Sequence, residues 1–275
     1  MKEYKNISEA PIGVFDSGIG GLTVAREIMS QLPDEKIIYF GDTARLPYGN
    51  KSQETIIRYS QQIRRFLESK GVKAIVVACN TASAYALETL CEEAKVPVVG
   101  MIHAGSKTAT EATRNGNIGV IGTLGTTSSG VYKKMMDSMK DGLNVIQKAC
   151  PLFVPLVEEG LWESRITDEV AEMYLEELRT ADVDTMVLGC THYPLLKDTI
   201  AKVMGEKVRL VNPAYETARE LKEILKDRGL LKEGDGKAPK HEFYASDLAG
   251  KMQEFAKSIL IGESVNTSKI DITVY

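Results

Sequence analysis

What most restricts this chain is an alternation of short apolar runs with amphipathic stretches, and the alternation happens twice. "IGVFDS" (Ile12–Ser17) has the continuous apolar character of a buried strand. "GLTVAREIMSQLP" follows as a helix pattern with Pro33 beyond its end. "KIIYFGD" (Lys36–Asp42) is the next strand. "SQETIIRYSQQIRRFLESKG" then carries Ile56, Tyr59, Ile63, Phe66 and Leu67 on one helical face, with Gly71 as C-cap. "VKAIVVAC" is a strand, "TASAYALETLCEEA" a helix and "VPVVGMI" a strand again. Repeated strand–helix units of this kind imply a mostly parallel sheet covered on both faces.

The second half starts over. "IGVIGT" (Ile118–Thr123) resembles "IGVFDS", and Ile12 and Ile118 are 106 residues apart. A Gly/Thr/Ser-rich loop and a helix follow. "TDEVAEMYLEELRTAD" is an amphipathic helix with Thr167 as expected N-cap. It leads into "VDTMVLGC", as the earlier helix led into "VKAIVVAC", and "KVRLVNP" matches "VPVVGMI". The strand-end cysteines, Cys79 and Cys190, are 111 residues apart. The near-equal offsets indicate an internal duplication; chance likeness of strand endings is the alternative. In the tail, "PAYETARELKEILKDRGLL" is a helix, "GDGKAPK" a linker and "HEFYASD" a short strand. "SDLAGKMQEFAKSIL" is a helix with Ser246 as expected N-cap. The 275 residues accommodate two domains. The simplest division makes the first discontinuous, 1–100 with 213–275, and the second 101–212.

Composition narrows the class. A net charge of −4 without a basic patch argues against nucleic acid as a partner. No apolar run approaches the ~20 residues that span a bilayer. "MKEYKNISEAP" has no apolar signal core, so a cytoplasmic protein is expected. This leader, Met1 to Pro11, is also too short to suggest an N-terminal regulatory element. The four cysteines show no C-x-x-C spacing, and the three histidines form no H-E-x-x-H, so neither a disulfide framework nor a metal site is expected.

In parallel α/β sheets, ligands bind beyond the carboxyl ends of the strands. Cys79 and Cys190 sit at such ends, as do Asp16-Ser17 and Thr123. If the duplicated halves face each other, the two cysteines approach one cleft from opposite sides. Taken singly, a cysteine reads as a buried core residue, and Cys91 and Cys150 are read that way or as inert surface. Asn80-Thr81 and Thr191-His192 suit a small polar ligand, or simply a helix cap. "DSGIGGLT" (Asp16–Thr23) nearly matches G-x-G-x-x-G, and Asp42 could serve as a ribose-binding acid, so a dinucleotide-binding protein is a rival reading. A carboxylate at Asp16 counts against it, because it would repel a pyrophosphate. A Cys190–His192 nucleophile–base pair for acyl transfer is a weaker rival, since loop neighbours two apart seldom aim at each other. A redox dithiol lacks its usual spacing.

"VFDSGIGGLTV", "GDTARLPYG", "CNTASA", "PLVEEG" and "GCTHYPLL" together resemble the glutamate racemases, cofactor-independent amino-acid racemases, from Ile12 to about Leu260. The resemblance implies two similar parallel-sheet α/β domains about a pseudo-dyad, with the active site in the cleft between them. It implies racemisation of glutamate without a cofactor, to supply D-glutamate for peptidoglycan; aspartate or a related amino acid is the alternative substrate. By the same resemblance, the residue matching Cys79 abstracts the proton of D-glutamate and that matching Cys190 the proton of L-glutamate. Asp16 and His192 assist the thiols. Asp16, Ser17, Tyr48, Gly49, Asn80, Thr81, Thr191 and His192 hold the substrate. Glu158 belongs near the cleft on the Cys190 side; a solvated acid at a helix start is its other reading. Asn212 departs from the family, many members of which carry an acid there. The expected partners are L-/D-glutamate and a second copy in a homodimer, with no membrane and no nucleic acid.

Overall fold

The computed structural model describes residues 6–234, 236–263 and 265–275, so part of the leader and of the "GDGKAPK" linker lies outside the described residues. The first half runs β1 (Ile12–Asp16), α1 (Leu22–Gln31), β2 (Ile37–Gly41), α2 (Gln53–Ser69), β3 (Ala74–Val77), α3 (Asn80–Glu93), β4 (Val98–Gly100) and α4 (Met101–Ala112). The second runs β5 (Asn117–Gly122), α5 (Leu124–Ser128), α6 (Val131–Met139), β6 (Asn144–Ala149), α7 (Phe153–Glu158), α8 (Arg165–Thr180), β7 (Thr185–Gly189), α9 (Lys197–Met204) and β8 (Arg209–Val211). The tail adds α10 (Pro213–Asp227), β9 (Glu242–Ala245), α11 (Ala249–Ile259) and β10 (Thr267–Lys269).

Two wholly parallel sheets result, in the orders β10-β9-β2-β1-β3-β4 and β6-β5-β7-β8. Each half repeats the same four-strand order, its first strand flanked by its second and third. β9 pairs with β2, so the tail returns to the first sheet. The apolar strand runs are explained by burial on both faces. Ile12 and Val14 of β1 pack with Leu22, Val24 and Ile28 of α1, while Phe15 points the other way, into Ile63, Phe66 and Leu67 of α2. No helix among the described residues is long and apolar enough to cross a membrane.

Three local expectations are corrected. α8 begins one turn earlier than "TDEV" suggests, because Ser164, not Thr167, caps it; the Thr167 amide donates to Ser164 Oγ at 3.2 Å. Ser246 caps no helix: its hydroxyl donates to Asp42 Oδ1, and Leu248 occupies the N-cap of α11. "VPVVGMI" is strand only through Gly100; Met101 and Ile102 already turn inward on α4, apolar for a helical core and not a sheet. Asn212 has a structural task as the N-cap of α10, its Oδ1 accepting from the Ala214 amide at 3.1 Å.

At the amino ends of the first sheet, the Lys73 ammonium is buried 2.5 Å from Glu35 Oε2 and donates to the Ser8 carbonyl at 2.6 Å. Glu35 Oε1 also accepts from the Lys232 amide at 2.9 Å, tying the tail to this edge. Removing one partner of a buried pair strands the other charge, at a cost of about 3–5 kcal/mol. Lys73→Met is therefore expected to lower the urea unfolding midpoint clearly, whereas Lys202→Ala, at an exposed pair with Asp168, leaves it near wild type. Equal midpoints for Lys73→Met and wild type would contradict this reading of the pair.

Candidate active site

The carboxyl ends of the two sheets face each other across a cavity of about 220 Å³. Cys79 and Cys190, each just beyond the end of a corresponding strand, both line it. Cys91 is exposed and Cys150 lies in the core; neither lines the cavity.

The halves are fastened around this cavity by polar contacts. Thr81 Oγ1 lies 2.8 Å from Thr123 Oγ1 and 3.1 Å from Thr126 Oγ1. The Tyr132 hydroxyl donates to Asn80 Oδ1 at 2.7 Å, and the Thr23 hydroxyl to the Thr191 carbonyl at 2.8 Å. Asn80 and Thr81 are thus not the caps of α3. Cys79 occupies that position, its Sγ accepting from the Ala82 amide at 3.5 Å.

Asp16 ends β1 and is fully buried behind the cavity rather than lining it. Its Oδ2 accepts from the Gly18 and Gly21 amides, each at 3.0 Å, while its Oδ1 has no hydrogen-bond partner. Burial raises its pKa, against the opposing pull of His192 and of the amides. This loop disposes of the dinucleotide rival in physical terms. The amides that would cradle a pyrophosphate are turned onto Asp16. A Cβ at Gly20 would lie 2.4 Å from His192 Cε1, and one at Gly21 would lie 2.4 Å from Asp16 Cβ. The glycines therefore serve close packing, Gly20 against the other half and Gly21 against Asp16 and Tyr39 of its own. Asp42, the rival's ribose acid, is held by Arg45, Tyr48 and Ser246.

On the opposite side, His192 Nδ1 lies 3.8 Å from Cys190 Sγ, and its Nε2 lies 3.2 Å from Glu158 Oε1. Two loop neighbours do aim at each other here, contrary to expectation. His192 has right-handed helical dihedrals at the start of the 3-10 turn Tyr193–Leu196, which swings its ring back over the strand end. Glu158 closes α7 instead of starting a helix, and its side chain is 16% exposed. A carboxylate is unfavourable at a helix C-terminus; here His192 compensates it and holds its pKa below the usual range. Burial alone would push the imidazole down, but hydrogen bonds to Cys190 and Glu158 and the charges of Cys190 and Asp16 outweigh it, bringing His192 to about 10. Burial, then the Asp16 charge, pushes Cys79 up to about 12, against the Ala82 amide and the Ser17 hydroxyl.

The profile of the Asp/Glu/Hydantoin racemase family matches residues 12–221. The chain belongs to this family. Among its relatives, a glutamate racemase from Geobacter metallireducens is 52% identical over 237 residues, 86% of this chain and 87% of the relative. A crystal structure of a glutamate racemase isoform from Bacillus anthracis superposes with a TM-score of 0.92 at 41% identity, covering 96% of this chain and 98% of the other. The Francisella tularensis glutamate racemase, solved in complex with D-glutamate, gives a TM-score of 0.90 at 38% identity, covering 98% of this chain and all of the other.

Seen as a racemase-family cleft, the cavity gathers Ser17, Tyr48, Gly49, Asn80, Thr81, Thr191, His192 and Glu158 as well as the cysteines. The Tyr48 hydroxyl is engaged with Asp42, to whose Oδ2 it donates. Sequence reasoning missed Leu46, Pro47 and Val154 in the wall, and Lys251 and Phe255 behind His192. Only "ARLPYG" hinted at any of these, by its place after a strand.

A folded-state pKa near 10, against about 6.5 unfolded, has a definite sign. The folded chain binds the extra proton between these values, so the stabilisation from His192 is fully present below pH ~6.5 and is lost as pH rises through about 10. Imidazole NMR is expected to show His192 still protonated at pH 8, and Glu158→Gln should lower its titration midpoint. A neutral His192 at pH 7 would contradict the assignment.

Proposed function

We propose that this chain interconverts L- and D-glutamate by proton transfer between two cysteines, without a cofactor, to supply D-glutamate for peptidoglycan. The carrying observation is that two thiols at corresponding strand ends face one small cavity from opposite sides. At about 220 Å³ it falls below the ~300–1,000 Å³ of drug-sized ligand sites, which suits a single amino acid. Relatives named glutamate racemase at 41–52% identity, and a neighbour holding D-glutamate, support glutamate as the substrate. The return of β9 and β10 to the first sheet supports the division into 1–100 with 213–275 and 101–212.

Inversion at Cα removes a proton from one face and delivers another to the opposite face. One group must enter as thiolate and the other as thiol. In the resting cleft Cys79 takes the thiol role, disfavoured as an anion by burial and by Asp16. Cys190 takes the role of base, with His192 3.8 Å away to partner it and Glu158 to anchor the imidazole. Cys190 then takes the proton of L-glutamate while Cys79 protonates the other face. For D-glutamate the roles reverse: the free Asp16 oxygen accepts the Cys79 proton, His192 gives one to Cys190, and the substrate ammonium offsets the charge on Cys79. The carboxylate of the carbanion is held by donors at the N-terminus of α3 and by the threonine hydroxyls, preorganised in a cleft that excludes most water.

A chiral assay of the purified protein against L-glutamate, L-aspartate and L-alanine tests this reading. Glutamate is expected to racemise without added pyridoxal phosphate, NAD or metal. Cys79→Ala and Cys190→Ala should each lose racemisation, while Cys91→Ala keeps it. A requirement for an added cofactor, or a preference for aspartate, would contradict the proposal.

A further inference from the structure

α11 comes from the tail, whose strands join the first sheet, yet it reaches over to the Cys190 side of the cleft. Lys251 Nζ lies 3.6 Å from Glu158 Oε2. One turn later, Phe255 is buried with its ring centroid 6.3 Å from that of His192. Residues four apart share a helix face, so a single face of α11 touches both Glu158 and His192. Lys251 is the only cation in an ion pair with Glu158 besides His192 among the described residues. Nothing else about Lys251 explains its placement: its side chain is 48% exposed, and it has no other acidic partner within ion-pair distance among the described residues.

We propose that Lys251 is a positioning residue of the reaction, which, with Phe255 packed on the imidazole, sets Glu158 and His192 for proton transfer at Cys190 and leaves the Cys79 side untouched. This rests on the proposed glutamate racemisation. Lys251 touches neither thiol and does not line the cavity. It acts through Glu158, whose Oε1 is left to His192 because Oε2 is drawn to the ammonium. Without it, the carboxylate is free to turn into solvent, and the imidazolium loses its fixed partner.

The two sides of the cleft can be separated kinetically. Enantiomers have equal free energy, so kcat/KM must be the same in both directions, for the wild type and for any variant. A defect confined to the Cys190 side makes proton exchange at that thiol more rate-limiting. The kinetic isotope effect on kcat/KM then rises for α-deuterated L-glutamate, whose proton Cys190 takes. It falls toward unity for α-deuterated D-glutamate, whose proton Cys79 takes. General loss of structure lowers activity without dividing the two isotope effects.

The experiment compares wild type, Lys251→Met and Lys251→Arg with both deuterated enantiomers, alongside their melting temperatures. Lys251→Met is expected to lower kcat/KM by about two- to fivefold, the range of a half-exposed charge pair, with the isotope effects moving apart as described and the melting temperature unchanged. Lys251→Arg should restore both isotope effects. An active wild type whose isotope effects match those of Lys251→Met overturns the role of Lys251 and leaves the proposed function standing. So does a loss of activity that moves both isotope effects alike. A wild type inert toward glutamate overturns the proposed function itself, and the role of Lys251 with it.

Discussion

Three hydroxyls from the helix starts that follow β3 and β5 meet at Thr81, Thr123 and Thr126, and the geometry of the cleft depends on their contact. Thr123 caps α5, Thr126 lies in its first turn and Thr81 in the first turn of α3, and the Thr81 hydroxyl meets the other two only if the carboxyl ends of both sheets point at the same place. Asn80 with Tyr132 and Thr23 with the Thr191 carbonyl repeat the fastening on either side. A buried hydroxyl or amide left without its partner costs ~1–3 kcal/mol, so these contacts favour one relative placement of the halves. That placement brings Cys79 and Cys190 to opposite walls of one cavity.

The halves repeat in backbone but not in charge. Cys79 lies beside a buried carboxylate, Cys190 beside a buried imidazolium. The difference follows from which residues occupy corresponding turns. Asp16 ends β1, whereas β5 ends in Gly122 with Thr123 beyond it; Asn80-Thr81 follow one cysteine, Thr191-His192 the other. A symmetric pair of thiols would share a proton ambiguously. Unequal surroundings suit the two cysteines to different parts in the proposed proton transfer. The buried positive charge of His192 requires its own support, supplied by Glu158 from α7 and, one step further out, by the tail helix α11.

The parallel sheets, the duplication and both cysteines were legible because buried strands and strand-end motifs leave strong local signals. β1, β2, β3, β5 and β7 are buried at essentially every position, and their apolar runs mark them. β6 and β10 were not legible: as edge strands they are half-buried or exposed, and "NVIQKA" and "TSK" carry no run to notice. The caps at Ser164 and Cys79 were missed for a different reason. A neighbouring threonine or asparagine is an equally good cap in isolation, and only the path of the chain decides which side chain faces the open amides. The Cys190–His192 contact depended on one residue turning helical, and Lys251 on the docking of a helix about sixty residues on in the chain. Neither has a local sequence signature.

If each thiol serves one face of the α-carbon, α-proton NMR of both glutamate enantiomers during early turnover in D2O will show solvent deuterium in the product enantiomer while the remaining substrate stays protiated, because the thiol formed by abstraction can return its proton only to the face it came from. Equal early deuteration of substrate and product, or product that keeps the substrate's own proton, would contradict it.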